Sequence, residues 1–82
     1  MRGRFPCPCC GFLTLSSEPP GSYEVCPVCF WEDDGVQFED PDYAGGANRE
    51  SLNTARANFR EFGASARSAL GHVRPARPDE SP

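Results

Sequence analysis

The sequence predicts a small metal-stabilised α+β domain, in which two cysteine knuckles sit on a short β-hairpin and an amphipathic helix follows. Three observations carry that expectation. Cys7-Pro8-Cys9-Cys10-Gly11 and Cys26-Pro27-Val28-Cys29 each contain C-x2-C, with fifteen residues between the pairs. That is the spacing of a four-thiolate metal site. The chain has only 82 residues, and a chain of that size buries roughly 60–65% of its unfolded surface, so its core alone is marginal. Finally, Leu52, Ala55, Phe59 and Phe62 recur at helical spacing behind a serine able to cap them.

The elements are expected in the following order. Residues 1–6 read as a short lead-in. Phe12 to Leu15 reads as a strand leaving the first cysteine pair. The cluster Ser16 to Ser22, with Pro19-Pro20-Gly21, is a turn. Tyr23 to Val25 reads as the returning strand that delivers Cys26, so the two ends of this hairpin carry the two cysteine pairs. Val36-Gln37-Phe38 is expected as a short third strand in an otherwise turn-rich, acidic stretch. Ser51 to Phe62 is the helix, capped by Asn48 or Ser51 and stopped at Gly63. The apolar period continues through Ala66, Ala69, Leu70 and Val73, so a break and a short restart near Ser65 are expected. Residues 1–74 form one domain on this reading, and 75–82, without large apolar residues, a disordered tail.

Zinc prefers four ligands at tetrahedral corners, and thiolate sulfur suits it. Pro8 and Pro27 follow the first cysteine of each pair and pre-set the backbone angle of a tight turn. The expected ligands are Cys7, Cys10, Cys26 and Cys29. Cys9 is left over, because C-x-C and C-C frames make poorer chelating turns; it reads as a small buried apolar residue, with a redox-active thiol as the alternative. One structural zinc is the expected cofactor. Iron also takes four thiolates, and knuckles of this kind look like a rubredoxin as well as a zinc ribbon. Such a site would add on the order of 10–16 kcal/mol to a fold that forms only with metal.

No apolar run approaches the ~18 residues of a membrane span, and no apolar segment of a secretory signal follows the basic start. A cytoplasmic protein is therefore expected, in which paired cysteines read as a metal site rather than disulfides. The net charge is −4, and its distribution is uneven: residues 18–42 carry eight acids and no base, while 49–78 carry six arginines and only Glu50 and Glu61. Arg49, Arg56, Arg60 and Arg67 would form one stripe on a continuous helix, read as a solvated face pairing loosely with the acidic segment. The acidic total argues against nucleic acid as a partner. Glu32-Asp33-Asp34-Gly35 lacks the alternating oxygen ligands of a calcium loop and reads as a solvated turn. Phe30-Trp31 reads as an aromatic pair packed over the second knuckle, with an exposed anchor as the alternative. His72 reads as an exposed residue. Abundant Arg, Ala, Gly and Pro without Lys or Ile suggest a GC-rich bacterial genome.

These residues together resemble the cysteine-rich CPCC-domain family of small bacterial proteins. The resemblance rests on Cys7 to Gly11, on Cys26 to Gly35, on Asp40 to Asn48 with Ser51-Leu52, and on Ala55-Arg56, Asn58-Phe59 and Phe62 to Ala64. It implies a small zinc-ribbon-like, metal-binding domain, and within that family Phe30 in place of a glycine is ordinary. It supplies no activity. A closed four-thiolate site without a catalytic cluster predicts a non-enzymatic module that binds another protein, with segment 32–42 and the Arg56/Arg60 stripe as contact surfaces. The alternatives are an iron electron carrier, a thiol switch through Cys9, and a nucleic-acid binder.

Overall fold

The computed structural model describes residues 4–82. Strand β1 (Phe5–Pro6) pairs antiparallel with β2 (Leu13–Leu15), with Phe5 opposite Leu15 and an irregularity before Pro6. The first cysteine pair lies in the loop between them. The second pair has its own minimal hairpin: Val25 bridges Glu32, Tyr23 N donates to Asp33 O, and Asp33 N donates to Glu24 O. This corrects two expectations. Residues 12–15 and 23–25 do not pair with each other to hold the cysteine pairs at their ends. Each pair instead occupies the turn of a separate hairpin, and residues 5–6 are a strand rather than a lead-in. Between the hairpins, the carboxylate of Glu24 gathers Ser16 N, Ser17 N and the Ser16 hydroxyl, which fixes the turn.

Residues 36–38 are helical, not a strand. Asp34 caps α1 (Gly35–Glu39), its Oδ1 accepting from Val36 N at 2.8 Å and Gln37 N at 3.4 Å. A strand there would set Val36 and Phe38 on one face and Gln37 on the other. In the structure Val36 and Phe38 are exposed and Gln37 is fully buried. Gln37 Nε2 faces the carbonyls of Tyr43 (3.0 Å), Asn48 (3.1 Å) and Glu50 (2.9 Å), and Oε1 accepts from Asn48 N (3.1 Å) and Asn48 Nδ2 (2.9 Å). The Asn48 side chain also bonds both backbone groups of Glu32, as a strand partner would. Loop 40–50 is thus held by a polar centre, which satisfies backbone groups that burial would otherwise strand. Gly46 sits hard against that centre: a Cβ there would lie 2.6 Å from Asp34 Oδ2 and 2.9 Å from Gln37 Cδ.

Helix α2 (Leu52–Phe62) begins at Ser51, whose hydroxyl accepts from Thr54 N, and ends at Gly63, which takes the left-handed conformation at φ 87°. Its buried residues are Leu52 and Ala55, and Phe59 meets Phe12 edge to face at 6.3 Å. A 3-10 helix follows over Arg67–His72. The break removes the long arginine stripe, since only Arg56 and Arg60 lie on α2.

The last residues are not free. A second 3-10 turn, Pro78–Glu80, brings Glu80 into a buried position. Both its oxygens meet the Arg74 guanidinium (2.9 and 2.7 Å), Oε1 also accepts from Arg77 N at 2.8 Å, and Arg4 approaches at 3.5 Å. The Arg74 guanidinium first, and then the Arg77 amide, hold this carboxyl down at about 2. The expected disordered tail from residue 75 is therefore an ordered strap: a carboxylate latch, invisible to an apolar pattern, fastens it, and Ala76 packs on the core. That core is small. Leu15, Val28, Trp31, Leu52 and Ala55 surround Cys7, Cys9, Cys26 and Cys29, so the cysteine cluster and the hydrophobic core are one body.

Candidate metal centre

The two knuckles share a backbone plan. Cys7 N donates to Phe12 O and Gly11 N to Cys7 O; in the same places Cys26 N donates to Trp31 O and Phe30 N to Cys26 O. Cys9 N points at Cys7 Sγ and Val28 N at Cys26 Sγ, both at 3.4 Å. Gly11 and Phe30 occupy one position, at φ 81° and 71°. For a phenylalanine that conformation costs about 1–2 kcal/mol. Phe30 is 40% exposed and stacks on His72, with ring centroids 4.9 Å apart, while Trp31 is buried. The aromatic pair thus divides, Trp31 to the core and Phe30 to the surface. Cys9 takes the place held by Val28, and both are buried.

The C-terminal half grips both knuckles at equivalent points. Arg56 Nε donates to Pro8 O at 3.0 Å, and Arg74 N donates to Pro27 O at 3.2 Å. Ser65 N adds a bond to Cys29 O at 2.8 Å. Arg67 lies over the Phe62 ring at 4.4 Å. The ion pairs among the described residues are Arg4–Glu80 and Arg74–Glu80. The arginines of 49–67 therefore do not pair with the acidic segment, and Arg56 serves the knuckle. The acidic segment is not a plain solvated turn either. Asp33 is buried and accepts from Ser22 N and Oγ, and Asp34 is buried as a cap that also accepts from Ala47 N. The amide of Ala47, foremost among its donors, holds the Asp34 carboxyl below its ordinary range.

The structure brings Cys7, Cys10, Cys26 and Cys29 together, with all four sulfurs within 4.8 Å of one another. Across the knuckles, Cys7 and Cys29 stand 3.6 Å apart and Cys10 and Cys26 3.7 Å. A metal–sulfur bond of about 2.3 Å in tetrahedral geometry sets sulfurs about 3.8 Å apart. The cluster therefore fits a four-thiolate metal ion with little movement. Among free thiols, hydrogen bonding with Cys26 pushes Cys10 up, and contacts with Cys10 and Cys26, with burial behind them, push Cys29 up. Cys26 is pushed down, chiefly by Cys10, with Thr14 contributing. Loading a cation must displace the shared protons, so affinity rises with pH.

Sequence reasoning missed three contributors. Thr14 Oγ1 lies 3.0 Å from Cys26 Sγ, a contact that would orient this sulfur toward a bound ion. Arg56 anchors the first knuckle, and the pair Gln37–Asn48 holds the loop beside the second. A threonine in the middle of a three-residue strand carries no spacing signal, and Arg56 looked like one of a row. No helix among the described residues is long and apolar enough to cross a membrane.

A sequence model of the family described as Cysteine-rich CPCC matches residues 5–80, nearly the whole chain. No curated protein matches it.

Proposed function

We propose that this chain, which belongs to the cysteine-rich CPCC family, is a zinc-ribbon-like structural module that presents a surface to another protein in the cytoplasm. The observation that carries the reading is the closed set of four cysteines, with cross-knuckle spacings of 3.6 and 3.7 Å inside the core itself. Four protein thiolates leave no corner of a tetrahedron for a reacting water, which favours a structural over a catalytic ion. The cytoplasm keeps such thiols reduced and available. The contact surface on this reading is the exposed part of α1 and its C-terminal flank, where Val36 and Phe38 lie on either side of the buried Gln37, with exposed Glu39 and Asp40 following.

A chelator titration tests the structural half. Withdrawing the metal from the purified chain should abolish near-UV circular dichroism from buried Trp31, and zinc should restore it. A native spectrum that survives complete metal removal would overturn that half. For the partner half, in-cell crosslinking with Val36→Ser/Phe38→Ser should lose a partner that the unaltered chain captures. Identical crosslinks from both would overturn it.

A further inference from the structure

The two knuckles differ most after their second cysteine. In the second knuckle Phe30 stands there, stacked on His72, and Cys29 is fully buried with its carbonyl bonded by Ser65 N. In the first it is Gly11, where an added Cβ would meet nothing within 4 Å. Cys10 is accordingly the one member of the four that is not buried. The sulfurs differ as well. Cys7 Sγ accepts from Cys9 N, and Cys26 Sγ has Val28 N and the Thr14 hydroxyl. Among the described residues no backbone N–H or hydroxyl reaches the sulfur of Cys10 or Cys29. A donor on a thiolate withdraws charge and lowers its nucleophilicity. Of the four cysteines, only Cys10 is both incompletely buried and without such a donor on its sulfur.

We propose that Cys10 is an oxidative modification site, attacked first by a two-electron oxidant of the peroxide class, and that Cys26, 3.7 Å away, resolves it as a disulfide between the knuckles. The inference rests on the metal-site reading above. In the first step the Cys10 thiolate attacks one peroxide oxygen; the O–O bond breaks, hydroxide leaves, and a sulfenic acid remains on Cys10. In the second the Cys26 thiolate attacks the Cys10 sulfur; the S–O bond breaks, a second hydroxide leaves, and the S–S bond forms. The two cysteines give up two electrons, and the peroxide takes them. Only Cys7 and Cys29 then remain as thiolates, too few to hold the ion. Cys9 takes no part, because the sulfur that stands against that of Cys10 is the one of Cys26, and Cys9 occupies the place that Val28 fills on the other knuckle.

The test uses the metal-loaded full chain with one equivalent of hydrogen peroxide. Metal release is read with a chelating dye, and the bridge by peptide mass mapping. Cys9→Val, which copies the second knuckle, is run beside it. The expected result is loss of the ion, a Cys10–Cys26 bridge two hydrogens lighter, and an unchanged release rate in Cys9→Val. Slower release in Cys9→Val, a bridge that includes Cys9, or metal retained after the peroxide is consumed overturns the proposal. Pulse alkylation of the unaltered, loaded chain gives a second reading: Cys10 should carry the first label, and a first label elsewhere also overturns it. Metal content is measured before oxidation. Its absence there would count against the metal-site reading, while the mapped bridge would still decide this proposal.

Discussion

Replacing Gln37 by methionine isolates the polar centre from the metal. Gln37 is fully buried: its two amide hydrogens are shared among the carbonyls of Tyr43, Asn48 and Glu50, and its oxygen accepts from the backbone and side chain of Asn48. Methionine matches its length and makes none of these bonds. With two hydrogens given and two accepted, at about 1 kcal/mol net per bond, the loss is about 4 kcal/mol, and burying a thioether returns about 1 kcal/mol. A net cost of about 3 kcal/mol is large against the roughly 5–15 kcal/mol that separates most folded domains from their unfolded chains. It corresponds to a fall of at least about 12 °C in Tm for a domain of this size. The assay is thermal unfolding with zinc held in excess, so that linkage to the metal stays constant. Gln37→Glu is the companion, since it turns a carboxylate toward three carbonyl oxygens and should do at least as badly. Zinc stoichiometry should stay unchanged in Gln37→Met, because no ligand is touched. A loss below about 1 kcal/mol would refute the reasoning, placing the hold on loop 40–50 elsewhere.

Further outcomes follow from single contacts. Gly46→Ala drives a methyl to 2.6 Å from Asp34 Oδ2 and should cost about 1–3 kcal/mol in urea unfolding; an unchanged midpoint would show that the centre yields freely. Thr14→Val removes the hydroxyl beside Cys26 Sγ and should weaken zinc about tenfold in competition with a chelator, whereas equal affinity would make that contact incidental. The Glu80 carboxyl is held down from 4.5 to about 2. Its contribution is therefore present above about 4.5 and is lost as pH falls through about 2. Glu80→Gln should accordingly melt lower than the unaltered chain at neutral pH, with the gap narrowing as pH falls below about 4.5; a gap independent of pH would contradict the latch.

The site was legible because metal chelation writes itself into local spacing. C-x2-C needs only a tight turn, and a tight turn needs only its own residues, so the grouping of Cys7, Cys10, Cys26 and Cys29 could be read directly. Helix α2 was legible for the same reason: Ser51, the apolar face and Gly63 are neighbours in sequence. What escaped was polar and non-local. Val36-Gln37-Phe38 alternates like a strand, yet the cap at Asp34 and the partners at 43–50 make it a helix turned inside out, with the polar residue innermost. The strap after Val73 escaped because Glu80 is fixed by Arg74 and Arg4 rather than by apolar burial. The pairing of β2 with residues 5–6 escaped because two residues make no pattern. Arg56 looked like one of a row, and only the approach of Pro8 O gives it a separate task.

Native mass spectrometry of freshly purified chain, with a visible absorption spectrum, tests the central claim most directly. The account predicts one zinc ion per chain, no visible band, and loss of the ion when Cys26 is replaced by serine. A chain that folds without metal, or that carries it unchanged in Cys26→Ser, would contradict the four-thiolate centre. One iron with thiolate charge-transfer bands would contradict the zinc assignment and make electron transfer the leading function.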